Sequence, residues 1–370
     1  MLLHVATRKG LFVYDLGGAQ PRISGRHFLG DNVTLTLADP RSGSWYAALE
    51  HGHFGAKLKR SDDRGATWRE LPAPAYPKRP AGEPDEIGAD GRPLPWVLKR
   101  IWSLECGGGS EPGRLWCGTI PGGLFTSDDH GESWALNAAL WAHPGRRKWF
   151  GGGADQPGIH SICVDPRDPR VVRVAVSCGG VWTTRDAGGS WANTTHGMFA
   201  AFLPPEQRYN VDSQDPHRMV QCAGQPERFW VQHHNGVFRS DDGALTWQHC
   251  PDVPPSGIGF GFAVVVHPQD GDSAWLVPGT KDEQRIPVDG RVAVTCTRDG
   301  GRTWTVLRAG LPQQDAYDLT LRHACDLAGD GRTLAFGSTT GSLWLSRDGG
   351  DQWTELSAHL PPIHALRFVG

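Results

Sequence analysis

The chain has 370 residues, with 37 basic against 40 acidic side chains, a net charge of −3, 49 glycines and 28 prolines. That balance gives no electrostatic reason to expect nucleic acid or an anionic membrane surface as partner. No stretch approaches the roughly 20 apolar residues of a membrane span, and the opening MLLHVATRKGLFVYDL has neither a basic region nor a small-residue cleavage site, so a soluble, cytoplasmic protein is expected.

In chain order, LLHVATRKGLFVYDLG reads as the second and third strands of a sheet whose first strand is missing, and RISGRHF as its fourth. Further on, four-strand patterns follow one another. Residues 97–137 give RIWSLEC, RLWCGT, GGLFTSD and SWALN, and residues 158–194 give GIHSICVD, VVRVAVS, CGGVWTTRD and SWANTT. The C-terminal PPIHALRFVG reads as a first strand with no partners after it. Short strands at regular spacing, separated by turn residues, argue for an all-β repeat fold, and four strands per unit is a propeller blade. Pairing the two termini completes a seventh blade and removes two exposed edges. The expectation is an all-β, seven-bladed β-propeller of four-stranded blades, one domain over 1–370, with the ring closed by the N- and C-terminal strands. None of the eight cysteines pairs as CxxC. Cys117, Cys163, Cys178, Cys222 and Cys296 lie in apolar or alternating runs and read as buried, reduced thiols.

One eight-residue phrase punctuates the pattern: SDDRGATW, SDDHGESW, TRDAGGSW, SDDGALTW, TRDGGRTW and SRDGGDQW, starting at Ser61, Ser127, Thr184, Ser240, Thr297 and Ser346, at spacings of 66, 57, 56, 57 and 49 residues. A Ser or Thr, then Asp, then Gly suits a tight turn whose side-chain oxygens cap its own amides. The closing Trp is a large apolar anchor. The phrase resembles the Asp-box, S/T-x-D-x-G-x-S/T-W/F, of bacterial neuraminidase (BNR) repeats. Four copies fit fully, while Ala244 replaces the glycine in one and Gln352 the Ser/Thr in another. The chain thus resembles the cytoplasmic bacterial BNR-repeat proteins described as sialidase-like or glycosyl hydrolase-like, which implies a propeller with a hydrolase-like activity on a small polar or glycan-like ligand. The sialidase F/Y-R-I-P motif is matched only by Arg285, Ile286 and Pro287 of QRIP in the fifth blade, and Gln284 departs from it, so sialidase activity itself is not expected.

Strands alternate direction, so the phrase and the first-to-second turns share one face, called lower here. The second-to-third turns and the blade connections share the upper face. The lower turns are short and structurally explained. The upper ones gather titratable groups, and the long connections 72–98, 136–157 and 195–215 would wall a cup there. Three chemistries suit such a cup. Hydrolysis would use Asp215, Glu283, Tyr317 and Asp318 as catalytic groups, with His51, His53, His160, His217, His233, His234, Lys281, Arg322 and His323 binding substrate. A metal-dependent reaction of another class would place a divalent transition metal on His51, His53, His160 and His233. A binding or assembly scaffold would need neither. Trp96, Trp141 and Trp149 fall in connections and could line the cup.

Overall fold

The computed structural model describes the whole chain except residues 19, 83–85, 88–90, 92 and 153. Among the described residues are seven four-stranded antiparallel sheets arranged as blades. Blades 1 to 6 run in sequence order. Blade 7 joins Ile363–Val369 as its innermost strand to Leu2–Thr7, Gly10–Asp15 and Arg22–His27, closing the ring. The innermost strands of blades 1 to 6 are Asn32–Ala38, Arg100–Cys106, Ile159–Val164, Pro216–Gln221, Gly261–Val266 and Cys325–Leu327. Among the described residues, no helix is long and apolar enough to cross a membrane.

The repeated phrase forms the turn between third and fourth strands in blades 1 to 6, and its chemistry is the same each time. In blade 2, Ser127 Oγ donates to Asp129 Oδ1 at 2.8 Å and accepts the Gly131 N–H at 2.8 Å. The N–H and hydroxyl of Ser133 then donate to the Asp129 carboxylate at 2.9 and 2.6 Å. The fourth and fifth residues are both left-handed, His130 at φ 60° and Gly131 at φ 89°. The copy with Ala244 keeps this wiring, and the copy with Gln352 keeps it apart from the hydroxyl bond that glutamine cannot make. Ala244 takes φ 66° while its N–H still reaches Ser240 Oγ at 3.0 Å, and the Gln352 N–H reaches Asp348 Oδ1 at 3.0 Å. The closing tryptophan links blades. Nε1 of Trp134, Trp191 and Trp247 donates to Pro72 O, Asn137 Oδ1 and Thr194 O, each just past the last strand of the preceding blade.

Trp141 and Trp149 are buried in packing, while Trp96 is half-buried and lines a hollow with Tyr76 and Pro95. Trp141 lies under the Arg146 guanidinium at 3.9 Å and against Trp96 at 5.1 Å, and Trp149 lies 5.5 Å from Trp182. Part of the 72–98 connection lies outside the described residues. Its Tyr76 is anchored on blade 2, with its hydroxyl 2.5 Å from Thr119 Oγ1 and donating to Pro121 O at 2.7 Å.

Candidate functional site at the upper mouth of the channel

The innermost strand of six blades carries one extra residue near its upper end. In blade 4, Pro216 pairs with His233 and Arg218 with Gln232, leaving His217 without a partner on the next strand. The same register shift sets apart Thr34, Trp102, His160, Phe262 and His364. A bulge of this kind bends the strand and re-aims one side chain, and such bulges are over-represented beside active sites. Here neighbouring bulge residues meet: Trp102 lies 5.4 Å from His160, and Phe262 stacks on His217 at 4.5 Å and 19°.

Asp215 stands at the centre of this group. It precedes the blade 4 strand and is 3% exposed. One carboxylate oxygen, Oδ1, accepts the Cys178 N–H at 3.2 Å. The other, Oδ2, faces two imidazoles, His217 Nε2 at 3.3 Å and His234 Nδ1 at 3.4 Å. The His217 Nδ1–H donates to the Gly261 carbonyl at 2.7 Å, which fixes that ring. Burial opposes charge on Asp215, yet the imidazoles and the Arg322 guanidinium hold its carboxyl well below the usual carboxylate range. Burial pushes His217 down, against the pull of Asp215. Burial, then the Asp215 charge, pushes the Cys178 thiol up, so it stays protonated and is no nucleophile.

Arg322 completes the mouth. Its guanidinium lies over the rings of Trp102 at 4.9 Å and Phe262 at 5.1 Å. Burial lowers its pKa to about 10, still fully protonated at neutral pH. Its Nε and His160 Nε2 have no hydrogen-bond partner among the described residues. Arg285 also lies 5.3 Å from the Phe262 ring and holds Asp282 at 2.6 Å. The result is a buried carboxylate with two imidazoles, an arginine and two flat aromatic faces, an arrangement suited to activating water beside a polar ligand.

The other residues singled out in the sequence have different surroundings. His233 is fully buried, with its ring nitrogens 3.0 Å from the backbone nitrogens of Asp215 and Asn235, and so holds the loop that carries Asp215. His323 Nε2 donates to the His160 carbonyl at 2.7 Å. Tyr317 is 63% exposed, and Asp318 accepts from the Ser338 and Thr340 hydroxyls. Lys281 and Glu283 form an exposed pair at 3.9 Å. His51 Nδ1 lies 3.8 Å from Asp31, and His53 lies on an exposed one-turn 3-10 segment, Gly52–Phe54. His51, His53, His160 and His233 form no common ligand group. Among the described residues, the metal-capable cluster is Asp215, His217 and His234. Cys178 reads in the sequence only as a buried thiol, and neither Trp102 nor Phe262 is marked there as a site residue. The signal for the last two lies in the first strands aligned by register, where Thr34, Trp102, His160, His217 and Phe262 form one column.

Two other hollows compete for attention. A groove of about 750 Å³ between blades 4 and 5 on the lower face is lined by Arg228, Arg239, Asp272 and Trp304. Its arginines are already engaged, Arg228 with Asp241 and Arg239 with Asp241 at 2.5 Å. Deeper in the channel, a cavity of about 290 Å³ is lined by Glu105, Arg218, Asp326 and Arg367, with Arg367 paired to Glu105 at 2.7 Å. Neither gathers imidazoles around a buried carboxylate as the upper mouth does.

No family model matches the chain. Over 179 residues it is 27% identical to an oligoxyloglucan-reducing end-specific xyloglucanase of Emericella nidulans, a match covering 48% of this chain and 19% of that one, so the chain spans about a fifth of that relative's length. Among solved structures, the GH74 xyloglucanase of Xanthomonas campestris superposes with a TM-score of 0.64 at 18% identity, covering 96% of this chain and 52% of that one. The protein YCF48 bound to D1 peptide superposes with a TM-score of 0.51 at 13% identity, covering 87% and 80%. These likenesses agree on the fold, a β-propeller of the kind found in glycoside hydrolases and in a peptide-binding protein.

Proposed function

We propose that the chain is a hydrolase acting on a small polar, carbohydrate-like substrate at the upper mouth of the channel. The observation that carries this reading is Asp215 Oδ2, buried but turned toward two imidazoles beside an arginine held over aromatic rings. Water beside Asp215, His217 and His234 would give up a proton to this group as it attacks, a contribution of about 10²–10⁴-fold in rate for positioned acid–base groups. Arg322, held over the Trp102 and Phe262 rings, would take the charge or hydroxyl oxygens of the substrate. The partial similarity to a xyloglucanase favours a glycoside over other polar substrates.

The test is release of reducing ends from a panel of oligosaccharides, xyloglucan fragments included. Wild type should turn over at least one, and Asp215→Asn and Arg322→Gln should each lose about 10²-fold or more in kcat/KM. No turnover on any glycoside, or turnover unaffected by both substitutions, would overturn the reading.

A second reading, a peptide-binding platform, is favoured by apolar side chains exposed on upper-face loops, Phe54, Phe150, Phe202 and Tyr317 among them. Under that reading Phe202→Ala and Tyr317→Ala would abolish capture of a partner peptide, while Asp215→Asn would leave it intact.

A further inference from the structure

We infer that Asp215, His217 and His234 are the protein ligands of a divalent transition-metal ion at the upper mouth of the channel. The inference rests on the proposed function for the place and deepens its chemistry: with an ion bound, Asp215, His217 and His234 would hold the attacking water through the metal instead of accepting its proton directly. All three ligand atoms lie within 4.8 Å of one another.

The hydrogen-bond directions carry the argument. The Gly261 oxygen can only accept, so its 2.7 Å contact with His217 fixes the proton on Nδ1. In the neutral ring Nε2 then turns its lone pair toward Asp215 Oδ2, 3.3 Å away. His234 Nδ1 approaches the same oxygen at 3.4 Å. Lone pairs gathered on one carboxylate oxygen in a buried place repel unless a cation lies among them. Protons alone would draw each ring in to about 2.7–2.9 Å, the length of a charge-assisted hydrogen bond. Both contacts are longer. These two match the roughly 3.3–3.5 Å between neighbouring ligands around a tetrahedral ion at 2.0–2.2 Å; the whole set spreads over up to 4.8 Å, so His234 must swing inward to share one ion with the other two.

The outer partners follow the pattern of a built metal site. A ligating histidine almost always gives its other N–H to a carbonyl or carboxylate, and His217 does so to Gly261. The second Asp215 oxygen is held by the Cys178 N–H, and the loop carrying Asp215 is pinned by His233. Phe262 stacked on His217 and Phe202 at 4.8 Å from His234 fix the ring planes. His234, with a side chain 22% exposed, is the ligand on the solvent side and can swing to close the set. Two imidazoles and one carboxylate suit zinc, manganese or iron rather than magnesium or calcium. Three protein ligands leave a position open for water or substrate.

Protein made without a histidine tag and stripped with EDTA would be titrated with Zn²⁺ by calorimetry and with Co²⁺ by visible absorption. Wild type should take up one equivalent and give a cobalt spectrum. His217→Ala and His234→Ala should each weaken uptake by at least about 100-fold, beyond the 10–100-fold typical of losing an outer partner. His51→Ala should bind as wild type does. His234 is open to solvent, so its variant should keep the wild-type melting temperature even if the buried His217 variant does not. Failure of folded wild type to bind either ion would overturn the inference, as would uptake unchanged in His234→Ala or lost equally in His51→Ala. Glycoside turnover by a folded wild type that binds neither ion would sink the metal and leave the hydrolase standing. Metal uptake without turnover of any glycoside would do the reverse.

Discussion

At Trp247, 3% exposed, the indole fills the seam between blades 3 and 4 and donates to Thr194 O at 2.9 Å. Removing a buried aromatic of this kind leaves a cavity that close-packed sheets cannot collapse into. Trp247→Ala should therefore lower stability by about 3–5 kcal/mol, measured by denaturant unfolding. A loss under 1 kcal/mol would mean the seam repacks. This role was legible in the sequence, because a tryptophan closing a six-fold repeated turn has a structural reason to be there. The roles of Tyr317 and Asp318 were not. Adjacency in sequence suggested a pair, but Asp318 is taken up by the Ser338 and Thr340 hydroxyls while Tyr317 points to solvent. The spacing of His51 and His53 misleads for a similar reason, since the 3-10 segment Gly52–Phe54 leaves His53 exposed while His51 faces Asp31.

The elements that matter for chemistry are the bulged first strands and the loops that press on them. Gly152, in the connection between blades 2 and 3, approaches so closely that an added Cβ would lie 2.4 Å from Cys178 Sγ and 3.3 Å from Asp215 Oδ2. Gly152→Ala should thus displace the Asp215 carboxylate and cut turnover or metal uptake by about tenfold or more, as a misplacement near 1 Å can, with secondary structure by circular dichroism unchanged. Wild-type kinetics in that variant would show the loop to be free of the site. The sequence told which strands exist and which turns share a face, because alternation and turn residues are local signals. It did not tell which residues on those strands aim into the mouth. A bulge breaks alternation by one residue, and only the register between strands reveals it, as His217 and Phe262 show. Asp215 was marked as an acid from its position in an upper connection. Its partners His217 and His234 could not be told apart from the loop-holding His233, because all three lie on two paired strands or the turn that follows them.

At the scale of the whole ring, stability should fall in acid in two stages. Burial holds His4 at about 3 and His364 at about 4, against 6.5 for a free imidazole, with His27 and Arg367 facing the first and Arg100, Glu50 and Arg8 the second. Both are neutral when folded and would bind protons when unfolded, so their contribution is present above pH 6.5 and is lost as pH falls toward 4. The repeated turns hold Asp186 and Asp299 at about 2 through hydrogen bonds from their own Ser and Thr residues, against an ordinary 3.8. Their contribution is present above 3.8 and fades between 3.8 and 2. Melting temperature should therefore drop first between pH 6.5 and 4 and again below 4, and a flat profile from pH 7 to 4 would contradict the burial of these histidines. Closure by Ile363–Val369 on Leu2–Thr7 ties the termini together. Deleting residues 358–370 removes the innermost strand of blade 7, so the shortened chain should lose cooperative melting, whereas retention of the wild-type transition would show that the ring does not depend on that strand. The measurement that bears most directly on the division between a lower face that builds the fold and an upper mouth that does the chemistry compares His234→Ala with Asp129→Ala, in melting temperature and in glycoside turnover per folded molecule. His234→Ala should keep its melting temperature and lose turnover, and Asp129→Ala should melt earlier and turn over normally. The reverse pattern, or loss of turnover in both at unchanged stability, would contradict it.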